Sequence, residues 1–379
     1  MAVLTPMQRQ YQEIKSQNPD SILLFRLGDF FEMFGDDAIE ASKILNITLT
    51  ARNKGTENEM PMCGIPHHAS ENYINKLTKA GKKVAICDQV SDPALPGIVQ
   101  RAVIRIITPG TVLSDSVLDE KTANYLVAIV EEKGEFGLAY ADVSTGTFAS
   151  TRISTLDLLK NEALRLNPAE LLLPKNSQLS EEFSKYISHI SFWIEPKNPQ
   201  KTLQDFFQVP NLKVFYIENE PAVVASAAML LDYVIDTQKG NAKQITKISK
   251  YQLADFMPID VSTLRNLEVF TTMHEGKHQG SLLSVIDKTV TASGGRKLKS
   301  WLIKPLKNIE EIQARLEKVD SMCKNHEKRE KLRSLLKETR DLERLLGKIA
   351  SGRANPRDLI SIRETLEKIP EIEKIVMSF

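Results

Sequence analysis

Hydrophobic positions along this chain change period from one region to the next. In the first hundred residues, short apolar runs alternate with polar turns. Residues 22–25, 84–87 and 103–107 are runs of this kind, the last two rich in β-branched side chains, and they predict strands. Residues 21–34 predict one or two strands. Thr5-Pro6 puts proline at the first position of a helix. Asp36-Asp37 opens another helix through Ile39, Ala41, Ile44 and Leu45, with both acids at its positive end. Residues 47–51 read as a strand, 69–80 as a helix stopped by Gly81, and Pro109-Gly110 as a turn.

From Tyr125 the runs lengthen. Residues 126–130, 136–143 and 147–151 predict consecutive strands joined by turns at Lys133-Gly134 and Thr145-Gly146. A helix, a strand at 170–173 and a helix at 222–236 follow, which is the order of an α/β layer. Beyond residue 250 the apolar spacing becomes helical. Asn308 with Glu311 predicts a capping box. Ile309, Ile312, Leu316 and Val319 then fall on one stripe. Leu332, Leu335, Leu336, Leu342, Leu345 and Ile349 predict one or two more helices. Asn355-Pro356 opens another, with Asp358 supporting its cap. Read from spacing alone, these stripes are core. No internal repeat and no low-complexity segment interrupts the chain.

Composition adds bounds. At 379 residues, two or three domains are expected. Hydrophobic content of 42% and charged content of 26% are those of a globular protein. No apolar run approaches the ~20 residues of a membrane span, and residues 1–20 lack a signal-peptide core. Cys63, Cys87 and Cys323 are too few and too scattered for a disulfide scaffold or a metal motif, so a reducing, cytoplasmic setting is expected. The net charge of +1 conceals an uneven distribution. Residues 1–113 hold 12 basic and 12 acidic side chains, whereas residues 276–353 hold 19 and 10, a surplus of +9. Such a segment is either a phosphate-facing surface or an ordinary solvated helix face.

Candidate chemistry begins at Phe30 and Glu32. Two residues apart on an extended segment, they share a face. An apolar ring can wedge into a base stack and a carboxylate beside it can accept from a base edge. Taken alone, Phe30 reads as core. The surrounding stretch, Leu27-Gly28-Asp29-Phe30-Phe31-Glu32-Met33-Phe34, nevertheless resembles the start of the MutS family of DNA mismatch-repair proteins. Pro61-Met62-Cys63-Gly64-Ile65-Pro66-His67-His68-Ala69 resembles a second family landmark. Val84-Ala85-Ile86-Cys87-Asp88-Gln89 and Arg105-Ile106-Ile107-Thr108-Pro109-Gly110-Thr111 follow in the family's order. Gly295-Arg296-Lys297-Leu298-Lys299-Ser300-Trp301-Leu302, Pro305-Leu306 and Asp341-Leu342-Glu343-Arg344-Leu345 resemble the opening of its core domain.

The resemblance implies a multidomain α/β plus α fold. A mixed α/β mismatch-binding domain would span 1–113, with a linker at 114–124. A ribonuclease-H-like α/β connector would span 125–249, and the first part of a mainly helical core domain 250–379. It implies that Phe30 wedges and that Glu32 hydrogen-bonds the displaced base. A mismatch is cheaper to unstack and kink than regular duplex, and the charge of Glu32 disfavours intact DNA. Arg52, after a predicted strand, and Arg101, before one, correspond to backbone-contacting positions, with Asn53 and Lys54 beside them. Ala51 stands where a basic residue is common. Met62, Pro66 and His67 form an expected DNA-proximal loop. His67 and His68 are adjacent, diverge, and are not expected to bind metal.

The pattern Gly-x-x-x-x-Gly-Lys-Ser/Thr is absent from the chain, so no cofactor and no ATP hydrolysis are expected of it. The chain resembles an N-terminal portion, and in longer members ATP and Mg²⁺ act in a C-terminal domain. Expected partners are duplex DNA with mismatches or small loops, a MutL-type protein at the connector, and a second copy in the full-length homodimer. No membrane partner is expected, and the setting is bacterial and nucleoid-associated. Two rival readings remain open. One is a metal-dependent nuclease on the connector, where Asp142 is the one acid on the first strands. The other is a non-autonomous fragment or recombination paralogue.

Overall fold

A computed structural model describes residues 5–55, 59–91, 99–114 and 118–379. The chain divides into two compact units. One holds Met1–Val117 with Asp232–Ala242, and the other Leu118–Leu231 with Lys243–Phe379.

The first unit is built from α1 (Pro6–Gln17), β1 (Ser21–Leu27), β2 (Phe30–Phe34), α2 (Gly35–Leu45), β3 (Thr50–Arg52), β4 (Met60–Pro66), α3 (Ser70–Lys79), β5 (Lys83–Gln89) and β6 (Arg101–Ile107). The strands form one sheet in the order β3-β4-β2-β1-β5-β6. Thr5 caps α1 with a reciprocal bond to Gln8, and Pro6 follows at the first helical position. Residues 21–34 are two strands, because Gly28 at φ +58° closes a two-residue hairpin that pairs Leu27 with Phe30. The strand expected at 47–51 is shorter and later. Asn46 ends α2 in the left-handed region, and pairing starts only at Thr50, opposite Met62.

Register sets the faces. β2 pairs with β4 through Phe30–Pro66, Glu32–Gly64 and Phe34–Met62, and with β1 through Phe25–Glu32. Side chains alternate along each strand. Phe25, Phe34, Ala85 and Cys87 therefore share one face, which α1 covers with Tyr11 and Ile14. Helices α2 and α3 pack on β4 and β5. Buried Asp37 ties α2 to the sheet, accepting from Leu23 N at 3.0 Å and from Lys15 Nζ at 2.9 Å.

The second unit carries another six-stranded sheet. Its elements are β7 (Leu126–Glu132), β8 (Glu135–Asp142), β9 (Thr147–Ile153), α4 (Leu156–Leu166), β10 (Glu170–Pro174), α5 (Leu179–Phe183), β11 (Ile190–Trp193), α6 (Pro199–Phe207), α7 (Pro221–Thr237, of which this unit holds the part up to Leu231) and β12 (Ser249–Lys250). β7, β8 and β9 are antiparallel neighbours, and β10, β11 and β12 add in parallel, in the order β11-β10-β7-β8-β9-β12. Val127, Ile129, Leu138, Leu159, Leu171 and Phe183 form the core under α4 and α5. Gly137 lets α7 begin directly on β8, since a Cβ there would lie 1.9 Å from Ala222 O.

Seven helices follow: α8 (Val261–Asn266), α9 (Leu282–Ile286), α10 (Ala292–Ile303), α11 (Ile309–Lys324), α12 (His326–Lys337), α13 (Leu342–Ala350) and α14 (Pro356–Val376). Asn355 and Asp358 complete a capping box at α14. At α11 only half of the expected box forms: Asn308 accepts from Glu311 N, without the return bond. The apolar stripe of α11 is not core. Ile309 is 81% and Leu316 55% exposed, and Ile312 and Val319 are exposed beside them.

Candidate nucleic-acid interface

Phe30 is the first residue of β2, and its ring stands 48% exposed. It is the one exposed Phe, Tyr or Trp ring among the described residues of its unit, on a sheet whose other β2 rings, Phe31 and Phe34, are buried. Alternation puts Phe30, Glu32 and Phe34 on the face that α1 covers, but the cover reaches only Phe34. The face opposite Glu32 is left open by Gly64. A Cβ at that position would lie 3.7 Å from Glu32 Cγ and 3.9 Å from the Phe30 ring.

Arg52 ends β3 on the same face, two strands away. Its Nη1 donates to Glu32 Oε2 at 2.8 Å, and its guanidinium lies 5.7 Å from the centre of the Phe34 ring. Glu32 is half-buried, and burial raises its pKa above the usual carboxylate value, while the charge and hydrogen bond of Arg52 oppose the rise. Both arginines were expected just outside strands. Instead Arg52 closes β3 and Arg101 opens β6, because pairing with Met60 extends β3 by one residue and pairing with Asp88 and Gln89 extends β6 by two.

The two arginines sit in different surroundings. Arg101 donates from Nε to Arg26 O at 2.7 Å and from Nη1 to Val99 O at 2.9 Å and Gln10 Oε1 at 3.2 Å, over the face of Phe25. Its donors tie α1 and the edge strand together. Asn53 turns the chain at φ +55°, and Lys54 is exposed in the same turn. Met62 and Pro66 lie on the Phe30 face of β4 by register, Met62 partly buried against the α1 core. His67 turns off the end of β4, its N–H donating to Asp29 O at 2.8 Å and its ring 5.1 Å from that of Phe31. Burial, reinforced by Arg26, lowers the His67 pKa below the ordinary imidazole value. Sequence reasoning located the face but missed the Arg52–Glu32 pair and the opening at Gly64. Both depend on cross-strand register, for which no local pattern exists.

Three family descriptions match the chain in order: MutS domain I over residues 5–116, MutS domain II over 124–246 and MutS domain III over 262–379. The chain belongs to the MutS family. It is 40% identical over 383 residues to the DNA mismatch repair protein MutS of Halothermothrix orenii, covering 99% of this chain and 43% of that protein. To the proteins of the same name from Ruminiclostridium cellulolyticum and Desulforamulus reducens it is 42% and 44% identical, over 100% and 97% of this chain and 45% and 44% of theirs. The chain thus spans less than half the length of these MutS relatives.

Outside MutS domain I, Asp142 has a settled role. Its Oδ1 accepts from Ser144 N at 2.9 Å and Ser144 Oγ at 2.5 Å, its Oδ2 from Asn124 N at 3.0 Å, and its carbonyl from Gly146 N at 2.9 Å. The carboxylate is spent on the β8–β9 turn and on the backbone just before β7. Among the described residues, no group of three or more His, Cys, Asp or Glu side chains is arranged to hold a metal ion. Of the 19 basic side chains at 276–353, eight are engaged in ion pairs. Lys277, Arg296, Lys299, Lys324, Arg329, Lys331, Arg344 and Lys348 each lie within ion-pair distance of a carboxylate. Arg296 and Arg344 also hold the approach to β7, donating to Glu120 O at 2.8 Å and to Asp119 O and Thr122 O at 3.0 and 2.9 Å. No helix among the described residues is long and apolar enough to cross a membrane.

Proposed function

We propose that this chain recognises mismatched or looped-out bases in duplex DNA, with Phe30 as the wedge and Glu32 as the acceptor for the displaced base, as a first step of mismatch repair. The observation that carries this reading is the exposed Phe30 ring standing beside the Glu32 carboxylate on one open end of a sheet face. A phenyl ring left in water at the end of an interior strand is apolar surface in search of a stack, and a mismatch offers one at low unstacking cost. Asn53, Lys54 and the outward donors of Arg52 supply phosphate contacts that fix register. Met62, Pro66 and His67 line the loop beside the wedge. Arg101 acts by bracing the sheet edge.

The rest of the chain supports this reading as scaffold. The strand order of the second sheet fits a ribonuclease-H-like connector and a surface for a MutL-type partner. In this proposal the mismatch-binding domain spans 1–113, the connector 125–249 and the helical core 250–379. ATP with Mg²⁺, and homodimer formation, belong in this proposal to the part of longer MutS proteins that this chain does not span. The use of Asp142 as a turn anchor favours scaffold over nuclease.

The test is fluorescence anisotropy at fixed salt with a duplex carrying one G·T mismatch and its matched twin. A stacked base contributes about 1–3 kcal/mol, so Phe30→Ala is expected to lower the mismatched-to-matched affinity ratio roughly tenfold. A ratio unchanged by Phe30→Ala would overturn the wedge.

A further inference from the structure

Glu32 needs a fixed direction to serve as an acceptor. The flanking strands do not supply one, because of the two residues paired with it Gly64 has no side chain and Phe25 has no polar group to hold a carboxylate. The only hydrogen bond drawn to its carboxylate among the described residues comes from Arg52, at 2.8 Å. Arg52 is itself located twice, by that bond and by the Phe34 ring 5.7 Å beneath its guanidinium. Phe34 is buried under α1, so this chain of contacts ends in the core.

We propose that Arg52 is a positioning residue for Glu32: seated on Phe34, it holds the carboxylate on the face that carries Phe30. The inference rests on the mismatch-recognition reading and adds a role distinct from phosphate contact. A guanidinium has five N–H donors in a rigid fork, and Nη1 uses one toward Glu32, so one side chain can face both a carboxylate and a phosphate. The pair thus couples the base acceptor to the backbone-contacting edge of β3. Arg52 also opposes the effect of burial on the Glu32 pKa. Among the described residues no other charged group acts appreciably on Glu32, since β1 and β4 present Phe25 and Gly64 opposite it. Without Arg52 only burial remains, and the carboxyl is expected to titrate at higher pH.

The experiment uses the whole chain with ¹³Cδ-labelled glutamate, the Glu32 resonance being assigned by Glu32→Gln. Carboxyl titrations are compared for the wild type, Arg52→Gln and Arg52→Lys without DNA. Affinity for mismatched and matched duplexes is then measured from pH 5 to 8. The proposal predicts an upward shift of the Glu32 midpoint in Arg52→Gln, partial restoration in Arg52→Lys, and a mismatch ratio lowered about fivefold in Arg52→Gln. That loss should deepen as pH falls. A phosphate-only Arg52 gives a different result: both duplexes weaken equally and the Glu32 midpoint stays in place, which overturns the proposal. The titration needs no DNA, so it stands if the wedge reading fails. That failure shows separately, as a Phe30→Ala ratio equal to wild type.

Discussion

Glu32 carries two opposing influences on one carboxylate. Burial favours its neutral form and Arg52 favours its charged form, and burial is the larger. The folded-state pKa therefore lies above the unfolded value. The folded chain holds this proton more tightly than the unfolded chain, so the contribution of Glu32 to stability falls as pH rises through the carboxylate range. At neutral pH the ionised side chain is a burden on the free protein. Glu32→Gln should therefore leave the melting temperature at pH 7 equal or higher, and should flatten its dependence on pH across the carboxylate range, while mismatch preference is lost. A melting temperature lowered at pH 7 would mean that the ion pair outweighs the burial. The common face of Phe30 and Glu32 was legible in the sequence, since alternation needs only two positions on one strand. The partner of Glu32 was not. Arg52 reaches it across β4, through pairings Arg52–Met60 and Glu32–Gly64 that no local window contains.

Among the elements, strands and helices with punctuated ends were the most legible. The Asn355-Pro356 start and the turns at Gly134 and Gly146 fall where the sequence put them, whereas the Gly28 turn that splits residues 21–34 into two strands was left open. What escaped was how α4, β8 and α10 meet. Lys304 follows α10, and its ammonium lies 3.9 Å from the centre of the Tyr251 ring, 5.5 Å from Tyr140 and 5.6 Å from Phe256. Tyr251 donates to Glu162 at 2.5 Å, and Glu162 is paired with Arg165. Burial pushes the Lys304 amine down to about 8, with Glu162 opposing and Arg165 adding to the shift. The Tyr140 and Tyr251 phenols are pushed up and stay neutral there. Folded, the amine holds its proton less tightly than in the unfolded chain. Unfolding thus takes up a proton between about pH 8 and pH 10, and stability from this group rises with pH across that window. Lys304→Met, which keeps the stem among the rings, should remove that rise and leave stability at pH 7 unchanged or improved. Urea midpoints at pH 7, 8, 9 and 10 would show it. Parallel curves for the two proteins would mean the cage does not perturb the amine.

For the whole molecule, the surface of the helical region matters most, because spacing alone assigned it to the core. Residues 309, 312, 316 and 319 lie on one face of α11, and that face is open. On α14, Leu359, Ile360, Leu366 and Ile369 are open as well. Periodicity reports that a helix has an apolar side but not whether anything packs on it. The distinction has a measurable size. A leucine or isoleucine in a packed core is worth about 2–5 kcal/mol on truncation, whereas exposed positions change stability by about 0.5 kcal/mol or less. Ile309→Gln with Leu316→Gln and Val319→Gln would unfold the helical region if the stripe were core. From the exposures seen, the triple variant should melt within a few degrees of wild type, and thermal denaturation followed by circular dichroism decides between the two. Contiguous apolar surface of this kind also promotes self-association. The same variant should therefore bind less of a hydrophobic dye, and its sedimentation should depend less on concentration. A dye signal and concentration dependence equal to wild type would place the sticky surface elsewhere, with α14 the next face to substitute.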